Sequence, residues 1–210
     1  MYKGKAMKIY EEAIAPNARR VRMFLAEKQV LDQIEFVQLD LQAGDNIKAE
    51  FRQKNPLAKI PVLEFDDGSY LSESVAICRY FEALNPENPL MGKTPLEQAT
   101  IEMWQRRCEI YFMNLVGMGF QHTSGFFADR MTPVKEWGEI CVKGASKFLK
   151  LLDAQLSNSR YVAGDEFSIA DITAFVTVDF ARVIKLRPSE DMSNLLRWYD
   201  EVKARPSAKA

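Results

Sequence analysis

The spacing of apolar residues changes character once along the chain. Up to about Asn85, short apolar runs that suit β-strands alternate with stretches of helical spacing, whereas after Thr94 helical spacing prevails. The stretch between these two residues contains two prolines and a glycine, which do not continue a helix. The pattern therefore predicts an α/β domain at residues 1–85, a linker at 86–93 and an all-helical domain at 94–210.

The predicted elements of the first domain follow the order β-α-β-α-β-β-α. Asp66-Asp67-Gly68 predicts a tight turn between the last two strands, because Asp-Gly supplies the backbone angles that such turns need. This order is typical of a thioredoxin-like domain, in which helices cover both faces of a central sheet. The predicted strands are Lys8–Tyr10, Ile34–Leu39, Pro61–Phe65 and Ser69–Leu71, and the helices lie behind Pro16, within Gly44–Phe51 and over Glu73–Leu84.

Two capping boxes mark helix starts in the second domain. In Thr94-Pro95-Leu96-Glu97 and in Ser168-Ile169-Ala170-Asp171, a hydroxyl stands three residues before a carboxylate, and the pair satisfies exposed backbone N–H groups. The first box predicts a long helix to about Val116, which Gly117 and Gly119 then loosen. Further helices are predicted after Thr132-Pro133 and over Met192–Lys203. The second domain is therefore predicted to be a helical bundle.

Charge and composition exclude several classes of partner. The formal net charge of -1 provides no overall field that attracts nucleic acid or an anionic membrane. The basic segment Met1–Lys5 leads into polar residues without an apolar signal core, and no apolar run is long enough to span a bilayer. The three cysteines are widely separated and lack metal-ligand spacing. We therefore expect a cytoplasmic protein that binds no nucleic acid, membrane or metal.

Four segments with a characteristic order and spacing extend over nearly the whole chain: Ala15–Arg22, Asn55–Leu63, Leu71–Ile77 and Gly164–Asp171. Together they resemble the cytosolic glutathione S-transferase family. The chain is most similar to the fungal and bacterial members that lack the standard catalytic Tyr, Ser or Cys. The resemblance implies a thioredoxin-like domain followed by a helical bundle, glutathione as co-substrate, an apolar electrophile as second substrate, and a homodimer.

The resemblance also implies which residues hold glutathione. In the family, a cis proline aims the backbone of the preceding residue at the cysteinyl part of the tripeptide, and these residues here are Pro61 and Ile60. Ser74 and Glu73 match the γ-glutamyl pocket, with Glu73 facing the ammonium. Lys59 is placed near the glycyl carboxylate. The alternatives are an edge-strand proline without a ligand, Ser72 and Glu73 that merely cap their helix, and a solvated Lys59.

Activation of the thiol has two candidate residues. The position that matches the catalytic Ser or Cys of the family is Ala15, whose side chain offers no donor. Asn17 lies two residues later at the expected start of a helix, where its amide N–H can stabilise a thiolate. It is equally suited to act as an N-cap. For His122, the only histidine, the resemblance to atypical fungal members implies that it holds a water against the sulfur, its neutral imidazole accepting from that water. The alternative is a surface or capping histidine.

The leading hypothesis is transfer of the glutathione thiolate to an electrophilic, apolar compound. The residues expected to line the acceptor pocket, or else to form core, are Phe112, Val116, Phe120, Phe126 and Phe127. Tyr10 is expected to be packed or exposed rather than catalytic, and Cys78 to be core. The alternatives are glutathione-dependent reduction of disulfides or peroxides, and a non-enzymatic glutathione-binding or scaffold protein.

Overall fold

The computed structural model describes residues 7–210, so the basic segment Met1–Lys5 lies outside the described residues. The chain divides into two compact units. The first extends to Pro89 and also includes Lys209–Ala210, and the second covers Leu90–Ala208. The division between Pro89 and Leu90 falls within the predicted linker.

A mixed four-stranded sheet organises the first unit, with the strand order β2-β1-β3-β4. Strand β1 is parallel to β2 and antiparallel to β3, and β4 returns antiparallel to β3. The elements are β1 (Met7–Glu11), α1 (Pro16–Glu27), β2 (Ile34–Gln38), α2 (Ala49–Lys54), β3 (Val62–Glu64), β4 (Tyr70–Leu71) and α3 (Ser74–Leu84). The predicted thioredoxin-like order is confirmed.

The core of this unit follows from the alternation of its strands and the spacing of α1. Ile9 and Leu63 are paired across β1 and β3, and both are fully buried. Phe24 and Leu25 of α1 are also fully buried. Burial of side chains of this size contributes about 1.5–3 kcal/mol each to stability. This packing holds α1 against the rest of the unit.

The second unit is helical, as predicted. Its elements are α4 (Pro95–Cys108), α5 (Asn114–Thr123), α6 (Lys135–Leu156), α7 (Ile169–Phe180) and α8 (Ser193–Lys203). Both predicted capping boxes are confirmed: Thr94 and Glu97 cap α4, and Ser168 and Asp171 cap α7. Within the described range, no helix combines the length and the apolar character needed to cross a bilayer.

The prediction that Gly117 and Gly119 loosen the long helix was wrong. One π-helical turn, Glu109–Met113, joins α4 directly to α5, and the helix continues to Thr123. Gly119 instead allows close packing, since a Cβ there would lie 3.1 Å from Cγ2 of Val142 on α6. The absence of a side chain therefore serves helix–helix contact at this position. The next helix also begins later than predicted, at Lys135 rather than directly after Thr132-Pro133.

Asp171 links the start of α7 to α8 and is completely buried. Its Oδ1 accepts from the Val162 N–H and from Nε1 of Trp198, both at 2.8 Å. Its Oδ2 accepts from the Ser168 N–H at 3.0 Å. Burial, only partly offset by these hydrogen bonds, raises the pKa of Asp171 to about 6.

We predict that Asp171 makes the free energy of unfolding fall as the pH rises from about 4 to about 6. The folded carboxyl titrates near 6, whereas an unfolded one titrates near ~3.9, so the folded state binds this proton more tightly in between. Asp171→Asn has no titrating carboxyl, so the pH-dependent fall in the free energy of unfolding, up to about 3 kcal/mol, is absent. The amide NH2 faces hydrogen-bond donors, which lowers the free energy of unfolding by about 1–3 kcal/mol at every pH. Urea unfolding across this pH range measures both effects.

The matched control is Asp32→Asn, because Asp32 is exposed at the surface. We expect it to unfold with the pH dependence of the unchanged protein. An Asp171→Asn variant that also keeps that pH dependence would contradict the assignment.

Candidate functional site

The start of α1 lies at the end of the loop that follows β1. Ala15 occupies the N-cap position without a side-chain hydrogen bond, Pro16 is the first helical residue and Asn17 the second. The interpretation of Asn17 as an N-cap was therefore wrong. Since Pro16 has no N–H and the Ala15 N–H bonds to the Glu12 carbonyl at 2.9 Å, the backbone N–H groups of Asn17 and Ala18 are the remaining donors of the first turn.

Asn17 and Ser74, 57 residues apart in sequence, meet in the folded unit. The Ser74 hydroxyl donates to Oδ1 of Asn17 at 3.4 Å, a long and weak hydrogen bond. The same hydroxyl oxygen accepts from Nη1 of Arg20 at 2.8 Å. Arg20 is completely buried, and Ser74 is only 7% exposed. A row of three polar groups thus connects α1 to the first residue of α3.

This row orients the polar groups at both helix starts. A guanidinium only donates, so the proton of the Ser74 hydroxyl points away from Arg20. The Asn17 amide turns its oxygen towards Ser74, which leaves its NH2 group as the donor on the other side. The positive charge of Arg20 lies directly behind Ser74, where a bound carboxylate would be favoured.

Glu73 precedes α3 in a backbone conformation that is rare for residues with a side chain. Its φ is 67° and its ψ is 110°. Such a conformation costs about 1–3 kcal/mol and occurs mainly where function requires it. Glu73 stands at the N-cap position, but its side chain makes no cap hydrogen bond and is exposed. The interpretation of Glu73 as a side-chain cap was therefore wrong.

The peptide bond between Ile60 and Pro61 is cis, and Pro61 is buried directly before β3. Because β3 lies between β1 and β4, the edge-strand interpretation of this proline was wrong. Asn55, 2% exposed, donates through Nδ2 to the Lys59 carbonyl at 2.8 Å and anchors the backbone that approaches the cis bond. The Lys59 side chain itself is exposed.

Models of known protein families match both units of the chain. The model of the glutathione S-transferase N-terminal domain matches residues 14–84, and that of the C-terminal domain matches residues 117–206. The chain belongs to the glutathione S-transferase family. It is 39% identical to Glutathione S-transferase 2 of Saccharomyces cerevisiae, with 98% of this chain and 91% of that protein covered.

Solved structures of the family agree with this assignment. The crystal structure of Gtt2 from Saccharomyces cerevisiae has a TM-score of 0.92 and 39% identity, covering 96% of this chain and 98% of that one. The class Gtt2 glutathione S-transferase of Vibrio parahaemolyticus has a TM-score of 0.84 and 37% identity, covering 97% and 96% of the two chains.

Other candidate residues have structural partners that define their roles. Tyr10 donates to Oε2 of Glu64 at 2.6 Å, and burial, followed by this hydrogen bond, raises the pKa of Tyr10. Its hydroxyl is thus engaged within the sheet, as expected for a packed residue. Cys78 is completely buried, which confirms its prediction as core. In the part of the chain that the structure describes, no three potential ligands are grouped to hold a metal ion.

His122 lies in the helical unit, in the last turn of α5, and is partly buried. Its Nδ1 accepts from the Val134 N–H at 2.9 Å.

Of the five residues predicted to line the acceptor pocket or to form core, Phe112 and Val116 are completely buried core. The other three form, with Phe180, an aromatic cluster whose members are Phe120, Phe126, Phe127 and Phe180.

Arg20 is the functional candidate that the sequence analysis missed. The pair Arg19-Arg20 sits in an apolar helical pattern, and arginines are rarely buried unless they are paired. One signal was available, since Arg20 and Val21, Phe24 and Leu25 share the face of α1 that the sequence places towards the core. A charge on that face requires a polar partner, which is Ser74.

We predict that Arg20→Met lowers the free energy of unfolding by about 1–3 kcal/mol, because Ser74 loses its buried donor. Urea unfolding followed by tryptophan fluorescence measures the change. Arg52→Met is the matched control, since Arg52 is exposed and bonds only to carbonyls of its own loop region at 3.2 Å. Equal stability losses in the two variants would contradict the role of the Arg20–Ser74 bond.

Proposed function

We propose that this protein conjugates the thiolate of glutathione to electrophilic, largely apolar small molecules. Membership of the glutathione S-transferase family supports both the reaction and glutathione as the co-substrate. The observation that carries the proposal in this chain is the row of Arg20, Ser74 and Asn17, which brings carboxylate recognition and a candidate thiolate donor together.

The γ-glutamyl group is proposed to bind at the start of α3. Its carboxylate accepts from the Ser74 hydroxyl and from backbone N–H groups of the first helical turn, where the helix dipole is positive. Arg20 keeps the Ser74 proton available by donating to the hydroxyl oxygen, and its buried charge favours the anion. Glu73 faces the ammonium of the same amino acid. Opposite charges are thus matched at both ends of the zwitterion.

The remainder of the tripeptide is proposed to extend along the segment before β3. The backbone of Ile60, held before buried Pro61, pairs with the cysteinyl residue in the manner of an added strand. Lys59 pairs with the glycyl carboxylate, and because its side chain is exposed this ion pair contributes only up to about 1 kcal/mol. The carboxylate at the γ-glutamyl end therefore dominates affinity.

Asn17 is proposed to activate the thiol. A free thiol titrates near ~8.5, so the site has to favour the thiolate to work at neutral pH. Ala15 offers no side-chain donor, whereas the Asn17 NH2 group and the N–H groups of the first turn of α1 do.

The aromatic cluster supports an apolar acceptor. Phe126 is 39% exposed and stacks edge-on against Phe127, with ring centroids 4.8 Å apart. Partly exposed aromatic faces favour flat, apolar compounds such as chloronitrobenzenes.

A cytoplasmic homodimer is proposed as the working form. The partner is expected to dock near Arg79, Tyr80 and α4. In support, α4 and the turn after it expose Leu96, Met103 and Ile110, which recur every seven residues on one helix face. Exposed apolar residues in such a row are typical of helix faces that another chain covers.

We predict that Ser74→Ala combined with Glu73→Ala weakens glutathione binding at least about 100-fold, since each charge-assisted hydrogen bond is worth about 1.5–3 kcal/mol. Isothermal titration with glutathione measures the affinity. Ser69→Ala combined with Glu87→Ala removes the same groups from exposed sites and serves as the control. Unchanged affinity in the first double variant would exclude the proposed γ-glutamyl pocket.

We predict that Asn17→Ala raises the pKa of the bound glutathione thiol by about one unit, the worth of one hydrogen bond to the thiolate. Turnover of chloronitrobenzene at neutral pH falls with the thiolate fraction, by up to about tenfold. The thiolate absorbance of the binary complex, followed against pH, gives the pKa directly. A pH profile identical to that of the unchanged protein would assign activation to the backbone N–H groups of α1 instead.

A further inference from the structure

His122 makes a hydrogen bond that determines where its proton lies. The Val134 backbone N–H, twelve residues further along the chain, donates to Nδ1 of His122 at 2.9 Å. A backbone N–H is only a donor, so Nδ1 must present its lone pair. A neutral imidazole carries one proton, which therefore resides on Nε2. The second ring nitrogen, Nε2, is then a hydrogen-bond donor.

The bond closes a loop between two helices. His122 stands in the last turn of α5, and Val134 is the N-cap residue of α6. The Val134 carbonyl in turn accepts the Gly138 N–H at 3.1 Å. A Cβ at Gly138 would lie only 2.9 Å from Cβ of His122, so the helix ends approach each other closely at this point. The imidazole thus bridges the end of one helix and the beginning of the next.

The closed loop, residues 124–133, carries part of the aromatic cluster. The Ser124 hydroxyl accepts the Phe126 N–H at 3.1 Å, and the Phe127 carbonyl accepts the Met131 N–H at 3.1 Å. Phe120, one turn of helix before the loop, contacts both loop rings. The position of these rings therefore depends on how the loop is closed at Val134.

We propose that His122 is a positioning residue that acts in its neutral form with the proton on Nε2, and that it latches the 124–133 loop through Val134. Its Nε2–H is a hydrogen-bond donor, and the ring is not a general base. The role of the latch in acceptor binding rests on the proposed transferase function, whereas the tautomer and the latch themselves do not.

This assignment reverses the expected direction of hydrogen bonding. An imidazole that accepts from a water through Nε2 needs its proton on Nδ1, where it would face the Val134 N–H donor to donor. An imidazolium has the same conflict, because it carries protons on both nitrogens. Of the three protonation states, only the neutral Nε2–H form keeps the observed bond.

The single histidine allows a direct test of the tautomer. In a long-range ¹H–¹⁵N spectrum of the full chain without a histidine tag, one imidazole contributes all signals. At about pH 8 we expect a protonated Nε2 and an unprotonated Nδ1. A proton on Nδ1 would overturn the proposal.

Two substitutions separate the acceptor from the donor. In His122→Asn, Oδ1 is bonded to Cγ as Nδ1 is and can still accept from Val134, whereas His122→Gln places its amide one bond further out. We expect hydrogen exchange of the Val134 amide to be about fivefold faster in the Gln variant than in the Asn variant, the loss of one ordinary hydrogen bond. Equal exchange rates in the two variants would overturn the latch.

Kinetics test the positioning role. We expect the KM for chloronitrobenzene to rise about fivefold in His122→Gln but not in His122→Asn, with the KM for glutathione unchanged in both. Gln121→Ala, on the same helical turn, is the control. Equal acceptor KM values would overturn the positioning role. Absence of turnover in the unchanged protein would count against the proposed function alone, because the spectrum and the exchange rates are measured without glutathione.

Discussion

The buried hydrogen bond from Arg20 to Ser74 is the interaction on which the candidate site depends. A guanidinium without exposure to water is tolerated only where its donors find acceptors, and Ser74 Oγ is one of them at 2.8 Å. The bond ties α1, at its fifth residue, to the first residue of α3. Two helix starts that are far apart in sequence are thereby held together, and their open N–H groups share one region of the first unit.

The remaining features of this region follow from that arrangement. Because the Ser74 oxygen accepts a hydrogen bond from Arg20, the Ser74 hydroxyl can donate its own hydrogen to Asn17 or to a carboxylate. Glu73, immediately before it, holds an unfavourable backbone angle without using its side chain as a cap. Ala15 leaves the N-cap of α1 without a side-chain acceptor. Local stability is given up at both helix starts, which is typical of binding sites.

In the helical unit, the residues that stabilise the fold are separate from the candidate acceptor loop. The start of α7 is held by Asp171, a fully buried carboxylate whose four hydrogen bonds do not fully offset the cost of burial. Close helix contacts depend on glycines, as at Gly119 and Gly138. The loop between α5 and α6, by contrast, carries a partly exposed phenylalanine, and besides the His122–Val134 bond its own short-range hydrogen bonds support it. Close helix packing thus supports an exposed loop.

The sequence by itself determined the order of elements, both capping boxes and the segments that carry the family resemblance. These features are local, since caps, turns and apolar periodicity act over only a few residues. It also singled out Ser74, Glu73, Ile60 and Pro61. Only the tertiary structure decided that Arg20 lies behind Ser74, that Asn17 is not a cap, and that His122 faces Val134. The contacts of Arg20 and His122 join residues that are apart in sequence, so they depend on how whole elements pack. The N-cap of α1 was ambiguous because Ala15 and Asn17 are only two residues apart, and only the folded backbone shows where the helix begins.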